Sequence, residues 1–193
     1  LSYFTHLYEA IASHQVVLLK YHKFEGNSWD RIVHPYQLRQ YNNRWFLVGK
    51  EPSLCEMLPL VVIPLDRIDS FKVSDAITFE PYNGEIDECF KNIVGVSLRF
   101  NTPCQHIVFK AFSVIASYIE TKPIHHSQMI VERHDEFTIF SLDLIPNYEF
   151  ETIMMSYADN CEILEPLSLR KKLVIRANDI LKYNISNCSK LIL

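Results

Sequence analysis

The chain has 193 residues, enough for one large domain or two small ones that each have a modest hydrophobic core. Its composition, 48% hydrophobic and 22% charged, is typical of a globular protein and excludes a disordered or fibrous chain. The formal net charge of −4 argues against a protein that binds duplex DNA through most of its surface. Any contact with nucleic acid must therefore be a local patch.

The cysteines are odd in number and scattered, and no Cys-x-x-Cys spacing indicates a zinc ribbon or a redox pair. We expect reduced, buried thiols in a cytoplasmic protein, with no metal and no cofactor. The apolar run 58–65 contains two prolines and is too short to cross a bilayer, so we expect no membrane contact. Because the sequence starts at Leu1 rather than Met, we interpret it as a fragment of a longer protein. The cysteines are Cys55, Cys89, Cys104, Cys161 and Cys188.

The first eighty residues predict one helix followed by short strands. Apolar residues at helical spacing predict an amphipathic helix over the first dozen positions. The runs that follow are rich in β-branched and aromatic residues with close turns, which predicts a small barrel. The Asn42-Asn43 pair predicts a tight hairpin, because Asn tolerates the left-handed backbone that such a turn needs. The helical stripe is Phe4, Leu7, Tyr8, Ile11 and Ala12, and strands are expected at 16–24, 31–34, 37–41, 44–50, 60–63 and 68–73.

The second half predicts a connector and then an alternating domain. Residues 79–100 contain the structure-breaking Pro81, Asn83 and Gly84, with one or two helical turns at 86–92 before Gly95. The remainder has the order βαββαβ, which is the ferredoxin-like arrangement, so the fold class is α+β. Asn147 is the expected N-cap of the second helix in this unit. Strands are expected at 105–112, 128–133, 137–145 and 161–164, and the helical stripes are Val114, Ile115, Tyr118, Ile119; Phe150, Ile153, Met154, Tyr157; and, after Pro166, Leu169, Leu173, Ala177, Ile180.

The pair His125-His126, followed by Ser127, is the first candidate for catalysis. Adjacent residues of an extended chain point in opposite directions, so both imidazoles cannot easily bind one metal ion. No metalloprotease or nucleophile-elbow motif occurs in the sequence. We therefore expect no enzyme and interpret this stretch as a loop that leads from a helix into a strand.

Basic and aromatic residues crowd the stretch 34–50. Aromatic faces next to guanidinium groups suit phosphates and unstacked bases. The alternative is ordinary: aromatic residues in strands usually pack in a core, and scattered basic residues usually face water. The residues are His34, Tyr36, Arg39, Tyr41, Arg44, Trp45, Phe46 and Lys50.

Three segments of this region, HPY at 34–36, RWFLVG at 44–49 and LDRI at 65–68, resemble the WYL-domain family, whose members are mostly bacterial transcriptional regulators. Two later segments, PIHHSQ at 123–128 and LEPLSLR at 164–170, resemble the WCX extension that often follows a WYL domain. The resemblance implies an Sm-like five-stranded barrel over 1–80, a linker over 81–101 and a ferredoxin-like extension over 102–193. The helix-turn-helix usual in such regulators is not in these residues.

The family resemblance also implies an anionic effector, such as a nucleotide or a short single-stranded nucleic acid. Two positions depart from the family pattern, because Phe46 replaces a Tyr and Val61 stands where many relatives carry an Arg. Arg39 and Arg67 are the strongest candidates, since a guanidinium forks onto phosphate and stays charged near neutral pH. By resemblance the ligand-binding residues are Tyr21, His34, Tyr36, Arg39, Trp45 and Arg67.

Two hypotheses follow from the sequence. The first is the effector-sensing and dimerising part of a DNA-binding transcriptional regulator, which would reach operator DNA only through a domain that this sequence lacks. The alternative is a protein-interaction or oligomerisation module without a small ligand. The apolar end of the chain, 185–193, favours assembly, and a homodimer is expected.

Overall fold

The structure is a computed structural model that describes residues 3–22, 26, 28–54 and 58–188, with side chains of the last helix described as far as residue 185. The chain divides into two compact units, Leu1–Lys91 and Asn92–Leu193. Each unit is built on one antiparallel sheet, of five strands in the first and four in the second. Helices accompany both sheets, which confirms the α+β class.

The first unit has a helix, then five strands where the residue pattern predicted six, and then a short helix. In the sheet the strands lie in the order β4-β3-β2-β1-β5, and no ladder joins β4 to β5 in the part of the chain that the structure describes. The five-stranded sheet is therefore established, whereas closure into an Sm-like barrel stays a prediction. The elements are α1 Phe4–Ala12, β1 Val16–His22, β2 Ser28–Tyr41, β3 Arg44–Lys50, β4 Val61–Pro64, a 3-10 turn Leu65–Arg67, β5 Ile68–Ser74 and α2 Ile86–Lys91.

Strand β2 differs from its prediction, because one fourteen-residue strand replaces the two expected at 31–34 and 37–41. Pro35 has no backbone N–H to donate, which is why the sequence predicts a break there. The structure instead shifts the register of the β2–β3 ladder between Pro35 and Gln37. Such a bulge lets the strand continue past a proline. The end of the first predicted strand, at 23–24, lies outside the described residues.

The β2–β3 hairpin confirms the Asn42-Asn43 turn. Both asparagines have positive φ, 47° and 61°, as a two-residue type I′ turn requires. The register pairs Tyr41 with Arg44 across the turn. The turn therefore fixes which residues of β2 and β3 lie side by side.

The core of the first unit lies between α1 and one face of the sheet. Leu7 and Ala10 of α1 pack with Val17, Val33 and Leu47 of the strands. Part of the predicted stripe on α1 is wrong, because its third member, Tyr8, is 62% exposed and Ala10 is buried in its place. The helix is rotated so that its small residue approaches the strands closely.

The second unit has the predicted element order β6-α3-β7-β8-α4-β9-α5. The sheet order is β7-β8-β6-β9, with all ladders antiparallel. The ferredoxin-like assignment of this arrangement stays a prediction. The elements are β6 Gln105–Phe112, α3 Ser113–Thr121, β7 Met129–Arg133, β8 Phe137–Leu144, α4 Tyr148–Ser156, a 3-10 turn Ala158–Asn160, β9 Cys161–Glu165 and α5 Leu167–Cys188.

Helix α4 begins where the sequence predicts. The Asn147 side chain is buried and accepts a hydrogen bond from the Phe150 backbone N–H at 3.0 Å. Its amide nitrogen also donates to the Val94 carbonyl at 2.6 Å. Asn147 thus caps the helix and ties it to the segment that enters the unit.

The predicted stripe on α3 is half wrong. Ile119 is buried and Ile115 packs against the core, but Val114 is 77% and Tyr118 45% exposed. Ala116 is buried instead. The helix turns its Ala116 side toward the sheet, which moves two of the four predicted residues to the surface.

The described cysteine side chains correct the expectation of buried thiols. Cys104 is exposed, and Cys89 and Cys161 are intermediate, each with a free thiol. Burial raises the pKa of the Cys161 thiol to about 12, so it stays protonated near neutral pH. Cys55 and the Cys188 side chain lie outside the described residues. Within the described ranges, none of the helices combines the length and the apolar character needed to cross a membrane.

Candidate functional site

The six residues expected to bind a ligand fall into separate groups of contacts. His34 and Tyr36 both bond to residue 80, Tyr21 lies beside Arg67, and the remaining two have other partners. Trp45 packs edge-on against the Phe4 ring of α1, with ring centroids 4.7 Å apart. The ring of Trp45 therefore serves the core of the first unit.

His34 and Tyr36 hold the backbone of Glu80. The Glu80 N–H donates to His34 Nδ1 at 2.9 Å, and the Tyr36 hydroxyl donates to the Glu80 carbonyl at 2.8 Å. The Glu80 carboxylate pairs with Lys50 Nζ. Residue 80 is thus bound through its donor, its acceptor and its side chain.

The same contacts explain the electrostatics of the two aromatic groups. Burial lowers the pKa of His34, the nearby Glu80 carboxylate raises it, and Lys50 lowers it, so that the net shift is downward. A neutral His34 fits the hydrogen bond, since Nδ1 must carry a lone pair to accept the Glu80 N–H. Burial, and then the Glu80 charge, raise the pKa of Tyr36 to about 12, so its hydroxyl remains a donor. Lys50 in turn lowers the pKa of Glu80, chiefly through its hydrogen bond.

Arg39 is held by the short helix α2. Its Nη1 lies 2.7 Å from Asp87 Oδ1, and its guanidinium lies 4.0 Å from the centre of the Phe90 ring. Gln37 donates to the same Asp87 oxygen at 3.2 Å. The hydrogen bonds from Arg39 and then Gln37 lower the pKa of Asp87, which keeps it ionised.

Tyr21 and Arg67 form the second pair of predicted residues. The Arg67 Nη1 donates to the Tyr21 hydroxyl at 3.4 Å, where the strand register places Tyr21 opposite Ile68. Nearby, Asp69 accepts hydrogen bonds from Ser28 and His22, and the Ser28 bond is the largest cause that lowers its pKa. This end of the sheet therefore carries an arginine bonded to a tyrosine and, on β5, a carboxylate bonded to a serine and a histidine.

Sequence reasoning missed three residues that the structure brings to the predicted set. Lys50, Glu80 and Asp87 complete the contacts of His34, Tyr36 and Arg39. Lys50 belongs to the basic stretch but not to the expected ligand residues. The run of acids at 80, 85, 87 and 88, after strands rich in cations, is the signal that could have revealed this pairing.

The stretch from His125 to Ser127 has a structural explanation. The Ser127 hydroxyl donates to the Asp143 carbonyl at 3.0 Å and accepts from the Asp143 N–H at 2.9 Å. Its Oγ also lies 2.7 Å from the buried His125 Nδ1. The hydroxyl is thus engaged in joining the loop to β8, as the loop interpretation requires. Among the residues that the structure describes, no three or more His, Cys, Asp or Glu side chains are grouped to hold a metal ion.

Comparisons with known proteins identify two domains in the chain. The WYL domain family matches residues 2–73, and the WCX domain family matches residues 104–181. No curated protein matches the sequence.

Solved structures also resemble the chain, and two of them are the following. The proteasome accessory factor B/C (PafBC) of Arthrobacter aurescens is 16% identical, with a TM-score of 0.40 over 89% of this chain and 25% of that chain. A CRISPR Cas-related protein is 10% identical, with a TM-score of 0.54 over 93% of this chain and 51% of that chain. The chain therefore spans a quarter of the first structure and about half of the second, and the second likeness concerns the fold alone.

Proposed function

Because the chain belongs to the WYL-domain family, with a WYL domain followed by a WCX domain, we propose that it is the effector-sensing and dimerising part of a bacterial DNA-binding transcriptional regulator. Its effector is an anion, either a nucleotide or a short single-stranded nucleic acid. Operator DNA is contacted by a helix-turn-helix domain outside these residues. No catalytic step is part of the proposal.

The observation that supports anion sensing best is that the cations of the first sheet already hold oxyanions. Lys50 pairs with Glu80, Arg39 with Asp87 at 2.7 Å, and Arg44 with Asp66 at 2.6 Å. A guanidinium or ammonium group that reaches a carboxylate can equally reach a phosphate oxygen. An aromatic ring, that of Phe90, lies 4.0 Å from the guanidinium of Arg39.

Of the six predicted ligand residues, we propose direct contact with the effector for Tyr21, His34, Tyr36, Arg39 and Arg67. Arg39 and Arg67 carry the charge, and Tyr21 and Tyr36 supply hydroxyl donors. The packing of Trp45 on Phe4 assigns it to support of the hairpin rather than to direct contact. A sensor also requires that the ligand bind two arrangements of the protein with different affinity.

The test is a titration of labelled single-stranded DNA, single-stranded RNA and cyclic nucleotides by fluorescence anisotropy at several salt concentrations. We expect binding that weakens as salt rises and that falls about tenfold in Arg39→Ala and in Arg67→Ala. Arg133→Ala is the matched control, since it removes the same charge from an exposed pair with Glu120 in the second unit. Failure of every anionic ligand to bind would overturn the proposal.

The finer architecture belongs to the same proposal. We infer an Sm-like barrel over 1–80, a linker over 81–101 and a ferredoxin-like extension over 102–193. The sheet order of the first unit, with β1 in contact with both β2 and β5, supports the barrel. The central position of β6 and β8 in the second sheet supports the extension.

An oligomerisation module is the second candidate, and the surface of α5 favours it. The apolar residues Ile180, Leu181 and Ile185 are each more than half exposed. Such a surface is typical of a helix that packs on another chain. The rest of the predicted apolar end, 189–193, lies outside the described residues.

Sedimentation analysis separates the two candidates. If α5 holds a homodimer, Leu181→Glu with Ile185→Glu gives a monomer, and Asn178→Glu with Lys182→Glu, on the same helix, leaves the mass unchanged. If the wild type and the Leu181→Glu/Ile185→Glu variant are both monomers at every concentration, dimerisation through α5 is wrong. The anion titration then decides whether sensing survives without it.

A further inference from the structure

Residues 79–91 lie on the first sheet, and we name them the strap. They comprise the end of the connection from β5 to α2 and α2 itself. Along β2 and β3, Val33 and Leu47 face the core, so the residues that alternate with them point to the opposite face. His34 and Val48 are on that opposite face, yet they are 1% and 0% exposed. The Phe79 ring lies 5.9 Å from the His34 ring, and Phe90 lies under Arg39. The strap covers this outer face.

Two acids of the strap neutralise two cations of the covered face. Glu80 pairs with Lys50, and Asp87 pairs with Arg39. Lys50 lies opposite His34, and Arg39 lies opposite Phe46, four residues away from Lys50 along β3. At the rise of a strand the two cationic positions are ~13 Å apart. The outer face therefore carries a pair of separated positive sites, each occupied by a carboxylate of the same chain.

The two ion pairs that hold the strap are exposed on the side of their carboxylates. The Asp87 side chain is 75% exposed, and that of Glu80 is 54% exposed. Exposed ion pairs contribute little to stability, so exchange of a carboxylate for a phosphate costs little. The more specific contacts are the two bonds to the Glu80 backbone and the packing of Phe79 between His34 and Tyr36. A ligand whose phosphates bind both Lys50 and Arg39 displaces both carboxylates of the strap at once.

We propose that the outer face of β2–β3 is the binding surface for a short oligonucleotide, and that the strap is its intramolecular competitor, with Glu80 on Lys50 and Asp87 on Arg39 in the places of two phosphates. This proposal rests on the proposed function, because it takes the effector to be an anion. The distance between the cations selects a ligand with separated phosphates over a mononucleotide. Displacement of the strap releases the segment between the WYL and WCX domains from the first sheet, so ligand binding changes how that segment is held.

The first experiment compares the affinities of the wild type and of Glu80→Gln/Asp87→Asn for fluorescent single-stranded oligonucleotides and for a mononucleotide. We expect the variant to bind the oligonucleotide about tenfold more tightly, because the competitor is weakened, with a smaller gain for the mononucleotide. The matched control is Glu85→Gln/Glu88→Gln. It removes the same two charges from the strap but leaves both ion pairs to the sheet.

The second experiment follows hydrogen exchange at the Glu80 amide, which donates to His34 in the free protein. Saturating oligonucleotide should accelerate exchange at this amide and leave the amides of the β6–β8 ladder unchanged. Slower exchange at Glu80 would mean that the ligand clamps the strap, and would overturn the proposal.

The outcomes separate this proposal from the one on which it rests. If the wild type, the variant and the control bind the oligonucleotide equally, the competitor role is wrong and anion sensing stands. Weaker binding by the Glu80→Gln/Asp87→Asn variant would make the strap part of the site and overturn its competitor role. If no protein binds any anion, both proposals fail.

Discussion

His34 links the protonation of one side chain to the position of the strap. Its pKa in the folded protein is lowered by burial, so the unfolded chain, with a value near 6.5, binds a proton first as the pH falls. The neutral ring therefore contributes stability that is fully present above pH 6.5 and is lost as the pH falls through the lower folded value. Protonation of Nδ1 also removes the acceptor for the Glu80 N–H.

We expect His34→Gln to flatten the fall in the free energy of unfolding on the acid side of pH 6.5. Urea denaturation at a series of pH values measures it. The matched control is His6→Gln, which removes an exposed histidine of α1. The prediction is wrong if the His34 variant and the control give parallel curves.

Gly49 is a residue where any side chain would collide with the neighbouring strand. A Cβ there would lie 2.6 Å from the His34 carbonyl oxygen and 2.6 Å from Val33 Cγ1. Neither the paired backbone nor the buried valine can move away easily. The glycine that ends the RWFLVG segment thus allows β2 and β3 to approach closely below the strap.

Gly49→Ala should lower the free energy of unfolding by about 2 kcal/mol, because the strands must separate to admit the methyl group. Gly84→Ala is the comparison, since its nearest neighbour is the end of the Tyr82 ring at 3.1 Å and a ring can turn. Thermal and urea denaturation measure both variants. Equal stability of Gly49→Ala and the wild type would contradict the close approach.

At the scale of elements, α4 and α5 are joined through one buried carboxylate. Glu151 of α4 is 4% exposed and pairs with Lys172 at 2.5 Å and Arg176 at 3.2 Å, both on α5. A carboxylate at such a position is stable only while its partners remain. The pair of cations therefore fixes the start of α5 against α4.

We expect Glu151→Ala to cost about 2 kcal/mol of unfolding free energy, since it leaves a cavity and two cations without their shared partner. Glu120→Ala breaks an exposed pair with Arg133 and should change the stability much less. Chemical denaturation of the two variants compares the pairs directly. A larger loss for Glu120→Ala would show that the α4–α5 connection is held by apolar contacts instead.

At the scale of the whole molecule, the net charge of −4 limits what the chain can bind. Four cations of the first sheet, Arg31, Arg39, Arg44 and Lys50, are paired with acids, so their charges are already compensated within the chain. A duplex presents a dense row of phosphates and needs several cations at once.

We therefore expect duplex DNA of mixed sequence to show no binding to this chain at physiological salt, under conditions where a single strand binds. Anisotropy with matched labels on both forms measures the difference. The Glu80→Gln/Asp87→Asn variant should keep this preference, since only two local sites are uncovered. Tighter binding to the duplex would refute a local patch.

The sequence by itself determined the features that neighbouring residues decide. Asn42 and Asn43 specify the hairpin, Asn147 specifies the start of α4, and the alternation of residue types specifies the order of the strands and helices. These depend on backbone preferences and hydrogen bonds within a few positions, which a sequence shows directly. The WYL and WCX segments also identified the family.

Only the tertiary structure decided which groups meet across long distances in the chain. The pairing of Lys50 with Glu80, the covering of His34 by Phe79 and the exposure of Val114 depend on how separate elements pack. A periodic pattern gives the apolar side of a helix but not its rotation against a sheet. A list of charges likewise does not say which acid neutralises which cation, because that choice is made by the register of the strands and the path of the strap.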